Sequence, residues 1–183
     1  MNEMQDILGS IVFGGIILVM VLGFNGNISE SAAIQTFHTT VQTNTTTLTS
    51  ILEYDLRKLG YRVPGTLKIT IADTNRIRFN GDFDNNGTVD SITYSIGSTM
   101  PAGVTNPRAR TMYRQLNTQS TQAMNLGITK FRLWYYDASG NSVTLPSDVR
   151  VIKIALNFES NHAYNNTYTG EYWERVFKPK NLR

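Results

Sequence analysis

The chain has no cysteine, so neither a disulfide framework nor a thiolate metal site can hold it together. A body without such staples relies on its core, on a hard metal ion, or on packing against neighbours. Histidine is confined to His38 and His162, far apart in sequence. No nucleophile–base motif, phosphate loop or HExxH pattern appears, and an enzyme is the class the sequence supports least. Basic residues are missing from the whole first stretch, with no Lys or Arg before Arg57. Five of the 14 acidic residues fall there (Glu3, Asp6, Glu30, Glu53 and Asp55), which leaves 17 basic against nine acidic side chains in the rest. A basic body can attract nucleic acid or anionic surfaces. The reading adopted is attraction to the acidic stalks of neighbouring copies, or solubility alone. Nucleic acid is not the expected partner.

What is present first is an apolar run, ILGSIVFGGIILVMVLGF, from Ile7 to Phe24, with Ser10 as its one polar side chain. As a helix its 18 residues span roughly 27 Å, close to the hydrocarbon thickness of a bilayer. A cleaved secretory signal asks for a basic leader and a small-residue cleavage site. Here the preceding MNEMQD is acidic and GFNGNIS is a poor site. Gly9, Gly14, Gly15 and Gly23 lie inside the run, where glycine permits close helix–helix approach. The Gly14-Gly15 pair is also a place where a helix can unwind locally.

Asn25-Gly26-Asn27 reads as a soft spot, after which Ser29 can cap a new or continuing helix. Ile34, Phe37, Val41, Leu48, Ile51, Leu52, Leu56 and Leu59 then recur at spacings of three, four and seven, an amphipathic pattern that Gly60 ends. A helix over residues 3 to 59 would be about 85 Å long, more than one small domain can cover. Eight threonines between Thr36 and Thr49 weaken its intrinsic propensity and suggest a disordered, O-glycosylated stalk as a competitor. The apolar spacing that runs through them decides for a helix, stabilised by burial.

After Tyr61 the period changes to two. Alternating segments occur around Leu67–Ile71, Ile77–Phe79, Ile92–Ile96, Met112–Leu116, Ile128–Tyr136, Arg150–Phe158 and Gly170–Phe177. One-sided alternation of this kind predicts an antiparallel sheet with one face on a core. A long helix followed by a strand meander gives an α+β class. Residues 1–28 form the apolar helix, 29–60 the amphipathic helix and 61–183 the β-rich body.

One segment looks like a site. Asp82-Phe83-Asp84-Asn85-Asn86-Gly87-Thr88-Val89-Asp90 has the opening of a calcium loop. Side-chain oxygens stand at positions 1, 3 and 5 (Asp82, Asp84, Asn86), glycine at 6, a carbonyl at 7 (Thr88) and a carboxylate at 9 (Asp90). The twelfth position is Thr93, where an EF-hand has a bidentate Glu, and the flanks read as strands. A polar hairpin turn is the alternative, since Asn-Gly signals one unaided. Calcium, if bound, fixes the loop and runs no chemistry. Asn-x-Ser/Thr triplets at Asn27, Asn44, Asn86 and Asn165 are expected by chance in so Asn- and Thr-rich a chain.

In two stretches the chain resembles type IV pilin-like proteins, including the minor pseudopilins of type II secretion systems. One is the apolar helix running into an amphipathic helix that ends in EYDLRKLGYRV. The other is a body with DxDxxGxxDxIxY, then YRQ at Tyr113, FRLWYYDASG and RVIKIALNF. The resemblance implies a pilin-like fold, with the apolar half of a long N-terminal helix protruding from the sheet body. It implies a subunit that sits in the inner membrane, is extracted by pilus or secretion machinery, and polymerises with copies of itself, helices inside and bodies outside. Such proteins carry a leader ending in Gly and a mature fifth-position Glu. Gln5 stands there instead, so Glu3 or Asp6 takes the carboxylate role, or both lie among lipid headgroups. The function expected is a structural subunit of an extracellular filament at the bacterial surface, with cell adhesion among its uses. The alternatives are a minor pseudopilin, or a single-pass tethered adhesin or sensor that never polymerises.

Overall fold

A computed structural model of the chain describes residues 2–65 and 67–182. Its first element is one helix, α1, from Asn2 to Arg57. Seven strands follow: β1 (Ile69–Ala72), β2 (Arg76–Gly81), β3 (Asp90–Ile96), β4 (Arg110–Leu116), β5 (Gln122–Tyr136), β6 (Val151–Glu159) and β7 (Gly170–Phe177). They form a single antiparallel sheet in chain order. This is the α+β arrangement expected, with a long helix packed on an antiparallel sheet, consistent with a pilin-like fold. The chain divides into two compact units, Met1–Phe37 and His38–Arg183, and the boundary falls inside α1.

The first unit is helical throughout its described residues, including Gly14-Gly15 and Asn25-Gly26-Asn27. The expected soft spot is therefore no break. Ser29 does not cap; its hydroxyl donates to the Asn25 carbonyl one turn back (3.0 Å), so the polar group is absorbed by a helix that simply continues. Every large apolar side chain from Ile7 to Phe24 is exposed, from 46% at Ile16 to 70% at Phe13. This helix is long and apolar enough to cross a membrane.

In the second unit, the last part of α1 lays a stripe on one face of the sheet. Val41, Leu48, Leu52 and Leu56, with Leu59 just beyond the helix, pack in one core with Ile77, Phe79, Ile92, Tyr94, Met112, Leu133, Ile154 and Phe158. The alternation in β2, β3, β5 and β6 puts these side chains on one face. Three residues expected in the helical stripe are not in the core: Ile34 and Ile51 are each 37% exposed, and Phe37 is only half-buried. Thr45, Thr49 and Asp55 are buried instead. The threonines can be, because their hydroxyls donate within the helix, Thr45 to the Val41 carbonyl (2.9 Å) and Thr49 to that of Thr45 (2.8 Å). Leu67, expected in the first strand, precedes it and is exposed.

Asp55 is the one charge in the buried stripe. Arg114 on β4 meets it with Nε (2.8 Å) and Nη2 (3.3 Å), and the Tyr94 hydroxyl of β3 donates to the same carboxylate at 2.5 Å. Burial, and next the Asp55 carboxylate, hold the Tyr94 phenol protonated far above its ordinary range. Burial works against the Arg114 charge, but the hydrogen bonds and charge interactions with Asp55 and Tyr94 together outweigh it and raise its pKa. Removing one partner of such a pair strands the other charge, a cost of about 3–5 kcal/mol, while an apolar pair of similar volume is often neutral. Asp55→Ala should accordingly destabilise the full chain in detergent by about 3–5 kcal/mol in urea unfolding, and Asp55→Leu with Arg114→Met by clearly less.

Candidate metal centre

The connection between β2 and β3 is the loop read as a calcium site, closed at its base by the Gly81–Asp90 register pair. Its outer residues, Asp84 to Val89, are exposed, while Asp82, Phe83 and Asp90 are buried. Phe83 provides the anchor: its ring meets Phe79 edge-on at 5.9 Å and joins the core. The carboxylates at positions 1 and 9 are thus fixed by the body, while the Asp84 carboxylate at position 3 and the Asn86 amide at position 5 ride on the arm between them.

Within the loop the side-chain oxygens turn inward through short local bonds. The Gly87 N–H donates to Asp82 Oδ2 (3.0 Å), the Asn86 N–H to Asp84 Oδ1 (3.0 Å) and the Thr88 N–H to Asn86 Oδ1 (2.7 Å). Gly87 carries a φ of +86°, a conformation in which a Cβ would be strained, and this turn brings the arm back over Asp82. Asp90 accepts from the Phe83 N–H (3.2 Å) and from Asn117 Nδ2 (2.7 Å). The result is that Asp82, Asp84 and Asp90 each place one carboxylate oxygen within 4.8 Å of the others. Asp82 is 0% exposed, and its Oδ1 is buried with no hydrogen-bond partner. An unpaired buried carboxylate oxygen is costly, and a cation is what such an oxygen lacks. Carboxylate, amide and carbonyl oxygens suit calcium or magnesium, and the absence of nitrogen and sulfur donors disfavours zinc or copper.

The end of α1 supports this loop from below. Gly81 passes so close to the helix exit that a Cβ there would lie 2.5 Å from the Lys58 carbonyl. Lys58 Nζ donates to the Phe83 carbonyl (2.6 Å), the Asp82 N–H donates to the Tyr61 carbonyl (3.0 Å), and Arg62 Nη1 pairs with Asp82 Oδ2 (3.0 Å). Lys58, Arg62 and Asn117 were not legible as site residues. Nothing in their local sequence marks them, and only the fold brings them to the loop.

Of the residues singled out in the sequence, the structure unites Asp82, Asp84, Asn86, Thr88 and Asp90 in one loop. Thr93 lies on β3, opposite Arg78 and Gln115, and is no part of the cluster. Glu3 and Asp6 are exposed on α1. A Cβ added at Gly14 or Gly15 would meet nothing within 4 Å, so neither glycine is required by packing inside the chain. The side chain of Gln5 lies outside the described residues.

Burial alone would raise the Asp82 carboxyl, but the Arg62 hydrogen bond, joined by the Gly87 N–H, holds it below the ordinary value of 3.8. A carboxyl depressed in the folded state stabilises the fold above the ordinary carboxylate pKa, and that contribution is lost as pH falls below it through the depressed pKa of the folded state. The unfolding midpoint of the wild type in a chelator should therefore exceed that of Asp82→Asn at neutral pH. The gap should close as the pH is lowered below about 3.8. No protein-family model and no curated protein matches the chain.

Proposed function

We propose that the chain is the structural subunit of a type IV pilus-like extracellular filament, anchored in the membrane before assembly and polymerising through the apolar half of α1. The observation that carries this reading is the uncovered apolar surface of α1. Burying one such side chain is worth about 1.5–3 kcal/mol, so the Ile7–Phe24 run cannot remain in water. A membrane alone covers about 18–20 residues. Beyond that run Ile28, Ile34, Ile51 and Tyr54 are also exposed, which favours neighbouring helices as the second cover and a filament over a single-pass tether.

A minor pseudopilin of a secretion system would bury the same surface and differ only in stoichiometry. Electron microscopy of sheared surface material separates the readings: long filaments made mainly of this chain are expected. Trace amounts in another subunit's filament would favour the pseudopilin, and chain found only in detergent-extracted membranes would favour the tether. Ile16→Lys should abolish membrane retention and assembly together, since a charge at the centre of a span costs roughly 3 kcal/mol or more. Intact filaments from that variant would count against a buried helix.

We propose in addition that the 82–90 loop binds calcium, a reading supported by the orphaned Asp82 Oδ1 beside Asp84 and Asp90. At a hundredfold excess over Kd a single bound ion stabilises a chain of this size by roughly 5–10 °C. Calcium added to the full chain in detergent should produce a shift of that order. Asp82→Asn and Asp90→Asn should lose it; an unchanged midpoint in the wild type would sink the assignment.

A further inference from the structure

Resting on the calcium reading of the loop, we propose that Arg62 sets the affinity of the site, as a resident counter-charge that weakens cation binding and keeps the loop folded without it. Among the described residues, Arg62 makes the one ion pair to any of the three clustered carboxylates. Its partner is Asp82, the most deeply buried of them, whose charge would otherwise be stranded.

The geometry divides the Asp82 carboxylate between two clients. Oδ2 holds Arg62 Nη1 and the Gly87 N–H, both at 3.0 Å, and Oδ1 holds nothing. A cation drawn to Oδ1, Asp84 and Asp90 would share one carboxylate with the guanidinium. The two need not collide, but their like charges repel across a few ångströms in a partly buried place.

The backbone shows that arginine is held at this position against its own preference. Residues 60–63 form a turn closed by the Val63 N–H on the Gly60 carbonyl (3.3 Å), with Arg62 as its third residue at φ +55°. That place in a turn favours glycine or asparagine. Arg62 adopts it with its side chain half exposed, its guanidinium 5.1 Å from the Tyr61 ring and its head on Asp82. A guanidinium with solvent on one side can yield ground to an incoming ion without unfolding the loop. Lys58, the other cation nearby, contacts the Phe83 carbonyl and Asn85 Oδ1 and no carboxylate of the cluster.

The test is calcium titration calorimetry of the full chain in detergent at constant ionic strength. Arg62→Gln should bind calcium roughly tenfold more tightly than the wild type, as expected for removing one like charge at this range. Arg62→Gly should do the same and also suits the left-handed turn, so it guards against a folding failure in the first variant. Arg62→Lys, which keeps the charge, should stay within about threefold of the wild type. In a chelator Arg62→Gln should unfold at a lower temperature than the wild type and show the larger calcium-induced rise. If the wild type binds calcium while Arg62→Gln and Arg62→Gly bind it equally or more weakly, Arg62 is a positioning residue and the inference falls with the metal site intact. If none of the chains binds calcium although all are folded, the metal reading fails and takes the inference with it.

Discussion

The apolar stripe that runs from Val41 on α1 to Leu59 just past its end closes the core of the body, and the rest of the structure depends on how that stripe is held. Leu48, Leu52, Leu56 and Leu59 are fully buried against the sheet. Apolar contact by itself is permissive about register, because a helix shifted by one turn still presents leucines. Asp55 removes that freedom. Its carboxylate is stable in the core only where Arg114 and Tyr94 reach it, so a shifted helix would put a bare charge against Ile or Phe. Burial provides the attraction and the buried ion pair fixes the position.

From that fixed point the exit of the helix is determined, and with it the metal loop. Arg57 is the last helical residue, and within five residues Lys58, Tyr61 and Arg62 have each made contact with residues 82–85. Gly81 lies against the Lys58 carbonyl, a distance that no other residue type could accept. The loop is therefore seated on the end of α1, and a change in its charge is felt first by the segment that joins helix to sheet. Phe83 ties the opposite side of the loop into the same core.

Much of this was legible in the sequence, for reasons that differ by element. Strands such as Ile152-Ile154-Leu156-Phe158 declare themselves because a sheet with one wet face must alternate, and all seven overlap the alternating segments, although β1 starts at Ile69 and not Leu67, and β5 starts at Gln122 and not Ile128. The Asp82–Asp90 loop was legible because the spacing of oxygens around a glycine is a local property. The buried face of α1 was only partly legible. Ile34 and Ile51 share the apolar spacing with Leu48 and Leu52, yet the body covers only the latter pair. Periodicity marks a residue as needing cover and says nothing about which surface provides it. Thr45, Thr49 and Asp55 were missed for the converse reason: each is polar by type, and its burial is made tolerable by a partner one helical turn away or across the sheet. Arg62 and Asn117 come to the loop through tertiary contacts that no local pattern encodes.

The residues that periodicity misplaced say something about what kind of object the chain is. The exposed apolar residues of the body, such as Leu67, Met100 and Leu145, are isolated from one another in sequence. Those of α1 are continuous from Ile7 to Phe24 and recur at Ile28, Ile34 and Ile51. If that helix had evolved only to cross a bilayer, nothing would keep isoleucine at positions past the run, where water would favour polar residues. If it had evolved only to close the body, the run itself would have no use. The proposed helix, buried by lipid at one stage and by other helices at another, would satisfy both parts of the pattern. The body asks for far less: an apolar core already complete and, among the described residues, two buried carboxylate oxygens without a hydrogen-bond partner, Asp82 Oδ1 and Glu171 Oε2, of which only the first stands beside two further carboxylates.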